Sequence, residues 1–145
     1  MKSFFTFLTE EGRWFTDIHT TKLFHGTSSK YLPSILKTGL IPNKENKLYI
    51  DTEQHIATRE AHDTVYGGGI LNKSEARGGL PVVLAIELDL KDNHRWYLDP
   101  DYHGKHGVEG EKSVWHPHAF ITNTKISPEN IMGWWDQKQT FHSTK

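Results

Sequence analysis

The sequence predicts an α+β domain on a split, mostly antiparallel β-sheet with a few helices. Three observations carry this. Short apolar runs at residues 22–24 and 48–50 are each followed by a segment patterned as a helix. An alternating run occupies residues 82–90, and two more strand-like runs follow at 119–126 and 131–135. Two strand–helix pairs followed by three strands segregate helix from sheet as α+β domains do. The 145 residues, 35% of them hydrophobic, make one domain with one core, spanning 1–145.

Taken in order, the apolar clusters at residues 4–8 and 14–15 read as short elements packing onto the domain. After Lys22-Leu23-Phe24, Ser28 and Ser29 offer side-chain oxygens to the orphan amides of a first helical turn. Pro33 falls where its missing N–H costs little, Leu32, Ile35 and Leu36 share a face, and Gly39 supplies a left-handed stop. Asp51 and Gln54 have the spacing of a capping box relaxed to Asp at the cap. The helix they open sets Ile56, Ala57, Ala61, Thr64 and Val65 on one face and ends at Tyr66, before Gly67-Gly68-Gly69. Residues 67–80 and 92–113 read as long polar loops, of the kind that usually serve function. Residues 127–130 form a turn. In the last strand Trp134 and Trp135 are expected to send one ring inward and one outward.

Composition narrows the function. Net charge is −1, so no long-range field draws a polyanion to the surface. There is no cysteine, which excludes disulfides and thiolate chemistry and fits a reducing compartment. The first twenty residues are interrupted by Glu10, Glu11 and Arg13, too polar for a signal peptide or membrane span. A cytoplasmic protein with no membrane partner is expected. Aromatics reach 12% with five tryptophans, enough to fill a small core or line a pocket for flat ligands.

The strongest motif is His25-Gly26-Thr27, set between the first strand and its helix. A glycine there lets a flat ligand lie on the backbone beside an imidazole and a hydroxyl. With the following helix and Gly39-Leu40, it resembles the opening of the ADP-ribosyltransferase superfamily. That family includes poly(ADP-ribose) polymerases, DNA-modifying toxins and RNA 2′-phosphotransferases. Leu48-Tyr49-Ile50-Asp51-Thr52, Pro81-Val82-Val83-Leu84 and Ile126-Ser127-Pro128-Glu129-Asn130-Ile131 look like further family blocks in the right order. The resemblance covers about residues 22–135. It implies the family's fold and NAD as co-substrate. It also implies that the Gly26 backbone pairs with the carboxamide, with Thr27 beside it, and that His25 bonds the adenine-side ribose. Tyr49 would stack on the nicotinamide. Tyr66, at the end of the second helix, reads either as a second aromatic wall or as a core residue.

Cleaving the nicotinamide–ribose bond builds positive charge on the sugar, so an acceptor, best a carboxylate, is needed near the ribose hydroxyl. Family members with His and Tyr usually carry a glutamate before the late strand. Counting back from residues 126–131 puts His118 there, and Glu111 is the nearest acid upstream, two residues after Glu109. Glu111 delivered by its loop, His118 in the polar role, and lost catalysis are the three alternatives, with the chemistry favouring Glu111. The expected activity is transfer of ADP-ribose from NAD to a macromolecular acceptor. Its rivals are a non-catalytic nucleotide- or partner-binding module and an RNA 2′-phosphotransferase, which usually carries a further N-terminal module. His103, His106, His116 and His118, with Asp99 and Asp101, match no structural zinc spacing, so no metal is assigned.

Overall fold

The computed structural model describes residues 5–8, 14–16, 22–68, 76–88, 96–98 and 119–145. Nine strands lie in it: β1 (Phe5–Leu8), β2 (Trp14–Thr16), β3 (Lys22–Ser28), β4 (Leu48–Asp51), β5 (Pro81–Glu87), β6 (Trp96–Leu98), β7 (Ala119–Thr122), β8 (Ile131–Trp135) and β9 (Phe141–Ser143). Two α-helices accompany them, α1 (Leu32–Thr38) and α2 (Gln54–Tyr66). The strands form one sheet in the order β1-β2-β6-β7-β4-β3-β5-β8-β9, antiparallel at each pairing.

This corrects the expected fold class. The protein is sheet-dominated, and its sheet is continuous rather than split. The reason lies in the shortest runs. Residues 5–8 and 14–16 pair as a hairpin, β6 links them to β7, and β9 folds back on β8. A three- or four-residue strand has no periodicity of its own; it acquires its conformation from its neighbour.

The sheet's centre is firm on one side and loose on the other. β3 pairs with β5 over its whole length, from Lys22↔Glu87 to Ser28↔Pro81. With β4 it shares the single pair Phe24↔Asp51. β4 is held instead by β7, through four consecutive pairs from Leu48↔Thr122 to Asp51↔Ala119.

Each face of the sheet carries one helix. On one face Leu23, Leu48, Ile50, Leu84, Ile86 and Phe120 pack with Ile35 and Leu40 into the main core, to which Leu32, Leu36 and Trp134 add. On the other, Ala57 and Ala61 of α2 pack with Val83, Phe24 and Trp135. Both tryptophans are half-buried, one against each core, so neither is the outward ring expected from sequence. Ala57 and Ala61 are one turn apart, and their small side chains let α2 approach the sheet closely.

The helix starts also differ from the capping patterns read in sequence. Ser28 caps a 3₁₀ turn at Ser29–Tyr31, its Oγ accepting from the Lys30 amide at 3.2 Å, and α1 follows with Pro33 in its first turn. Asp51 is not the N-cap of α2: it belongs to β4 and is 1% exposed, while Glu53 precedes the first turn of α2 without a side-chain cap. Gly39 does end α1, with φ +87° and its amide donating to the Ile35 carbonyl at 2.7 Å.

Candidate functional site

A cavity of about 330 Å³ opens where β3 and β4 part. β3 contributes His25 and Thr27, and β4 contributes Leu48 and Tyr49. Tyr31, Ser34, Ile35 and Thr38 form the wall on the side of α1. The 39–47 connection closes the remainder with Gly39, Leu40, Ile41, Asn43 and Lys47. That connection is fastened at its start by reciprocal hydrogen bonds of 2.9 Å between Leu40 and Ile126. It is fastened at its end by Asn43, whose Oδ1 accepts from the amides of Glu45 and Lys47 at 2.9 and 3.1 Å. A volume near 300 Å³ is the lower end of the range for small-molecule sites.

His25 is the best-defined group in the cavity wall. Its Nδ1 lies 2.6 Å from the Tyr49 carbonyl oxygen. A carbonyl can only accept, so Nδ1 carries the proton and Nε2 is left as an acceptor in the neutral ring. Burial lowers the pKa of His25 below its ordinary 6.5, and the bond to Tyr49 opposes this more weakly. At neutral pH the ring is therefore uncharged. The contact bridges the β3–β4 seam beside the backbone pair Phe24↔Asp51.

The lowered pKa has a thermodynamic consequence. In the unfolded chain His25 titrates near 6.5, and in the folded protein below that. Between those two values the unfolded state binds more protons, so stability rises with pH and levels off above about 6.5. Acidification through that window destabilises the fold. Denaturant unfolding at pH 7.5 and 5.5 checks this: the wild type should lose stability at pH 5.5, and His25→Gln should lose less. Asp136, held low first by its hydrogen bond from His142, titrates below 3.8 and stays outside that comparison.

Gly26 has a different job from the one its motif suggests. A Cβ on it would lie 1.9 Å from the Ala57 carbonyl oxygen and 2.6 Å from the Ala61 nitrogen. The backbone of α2 covers this face, leaving no room for a flat ligand there.

The structure brings His25, Thr27 and Tyr49 to one cavity. Tyr49 meets His25 through its carbonyl. By strand alternation its side chain shares a face of β4 with Asp51, opposite Leu48 and Ile50. Tyr66 is not brought there: it ends α2 on the other face of the sheet, 49% exposed, its ring 4.7 Å from that of His62. Glu111 and His118 lie outside the described residues, as do His103, His106, His116, Asp99 and Asp101. Sequence reasoning missed Tyr31, Asn43 and Lys47. The signal was Pro42-Asn43-Lys44-Glu45-Asn46-Lys47, a turn-forming stretch directly after Gly39-Leu40.

No protein-family model matches the chain, and no curated protein matches it. Among the described residues no helix is long and apolar enough to cross a membrane.

Proposed function

We propose that the protein is an NAD-dependent ADP-ribosyltransferase. The observation that carries this reading is the His25 imidazole in a cavity wall, kept neutral by burial, with Nδ1 donating to the Tyr49 carbonyl and Nε2 left as the ring's acceptor. A bare imidazole nitrogen is suited to receive a sugar hydroxyl, the role that the resemblance gives His25. The gap between β3 and β4 supports it further. A sugar seated in the cavity at that gap meets His25 on the wall that β3 supplies, with Thr27 beside it. Glu111 supplies the carboxylate for the charge that develops on the sugar, and a macromolecule receives the ADP-ribose.

Incubation with NAD and measurement of free nicotinamide tests the reaction. Steady release, with label from tagged NAD passing to a macromolecule, is expected. Binding without release would make the protein a nucleotide-binding module instead, and no binding would remove the reading. His25→Ala should weaken NAD by roughly 5- to 150-fold, since a hydrogen bond lost inside a pocket costs about 1–3 kcal/mol. His55→Ala, on the exposed side of α2, should leave affinity unchanged in the same titration calorimetry.

A further inference from the structure

The electrostatics of the cavity wall are one-sided. Among the described residues that line it there is no carboxylate, and its one formal cation is Lys47. The ammonium of Lys47 is poorly neutralised. Glu45 Oε2 stands 3.9 Å away on a side chain that is 63% exposed, a contact worth little in water. The Lys47 side chain is about one-third exposed, at 34%, and it belongs to the cavity lining.

Asn43 reinforces the same polarity. Its Oδ1 is occupied by the amides of Glu45 and Lys47. The free end of that side chain is then the Nδ2 amide, a pure donor. The backbone bond from Asn43 N to Lys47 O, 2.9 Å long, closes the turn and keeps both residues together. These residues therefore bring donors and a positive charge to the lining. His25, whose Nε2 is the ring's acceptor, lines the same cavity. An ammonium with amide donors recognises a phosphate, and an imidazole acceptor recognises a hydroxyl.

We propose that this cavity is a subsite for a phosphorylated sugar, with the phosphate at Lys47 and Asn43 and a sugar hydroxyl at His25. This deepens the transferase reading by giving Lys47 the task of distinguishing phosphorylated nucleosides from unphosphorylated ones. The lysine acts as a point charge, so the preference should weaken with salt.

Titration of the full chain with AMP, adenosine and inorganic phosphate tests it. AMP should bind about tenfold or more tightly than adenosine and than inorganic phosphate. Lys47→Gln should erase the advantage over adenosine, leaving adenosine affinity and melting temperature unchanged. Lys44→Gln, on the same exposed turn but outside the cavity, should preserve it. Equal affinities for AMP and adenosine, or an advantage that survives Lys47→Gln, would overturn the subsite. Inorganic phosphate matching AMP would reduce it to an anion site and overturn the sugar assignment. Nicotinamide release from NAD is read separately. Release with no preference for AMP removes the subsite and leaves the transferase. A Lys47-dependent preference without release does the opposite.

Discussion

Gly26→Ala should cost about 3 kcal/mol or more and leave little cooperative unfolding transition. Overpacking a close-fitted core typically costs 1–3 kcal/mol even where side chains can adjust. Here nothing adjustable is in the way. The new methyl would sit 1.9 Å from Ala57 O and 2.6 Å from Ala61 N, both backbone atoms inside α2. Relief requires the helix to lift from β3, which opens the contacts of Ala57 and Ala61 with Val83. For a domain with total stability of roughly 5–15 kcal/mol, that loss is a large fraction. Chemical denaturation followed by circular dichroism checks it. Trimming Ala57 to glycine in the same chain should give no rescue, because the clash is with its carbonyl. The contrasting outcome is informative: a Gly26→Ala protein of normal stability that binds no NAD would mean that the glycine serves a ligand and that α2 does not rest on it.

This glycine shows where the sequence could be read and where it could not. The motif at residues 25–27 was visible, because a histidine, a glycine and a hydroxyl between a strand and a capped helix are unusual together. The reason for the glycine was not. The atoms that require it belong to Ala57 and Ala61, some thirty residues later, and only the tertiary packing of α2 brings them there. Gly39 could be read, because a positive φ at a helix end is a local requirement, although its ψ of −174° is extended rather than left-handed helical. Asp51 was misread for the opposite reason. Its spacing to Gln54 obeys a local capping rule, but pairing with Phe24 and Ala119 draws it into the sheet. The strands at 5–8, 14–16 and 96–98 are too short to declare themselves, and so the continuity of the sheet was hidden. Lys47 and Asn43 lay in a stretch that reads simply as a turn; they matter because Asn43 folds it against the open seam beside His25.

Phe120→Ala should destabilise the protein by about 3–5 kcal/mol, the usual cost of removing a buried phenyl ring. Phe120 is 1% exposed and sits in the main core. Its position in the sheet gives the substitution a second effect. Phe120 pairs with Ile50 on one side and Leu98 on the other, so it joins β4 to β6 through β7. β4 has only the Phe24–Asp51 pair with β3, and therefore depends on β7 for its position. A cavity beneath Ile50 loosens β4, and with it the Tyr49 carbonyl that His25 donates to. Water then reaches the imidazole, and the burial that depresses its pKa is reduced. Two measurements follow. The denaturation midpoint should fall, and the His25 pKa, read from its ring resonances in a pH titration, should move up toward 6.5. Phe120→Leu keeps most of the volume, so it should show both effects in smaller measure and remain folded if the alanine variant does not. A cost below about 1 kcal/mol for the alanine would contradict the burial of β7 in the main core. A large cost with an unmoved His25 pKa would instead mean that β3 alone holds the histidine in place and that the seam does not depend on β7.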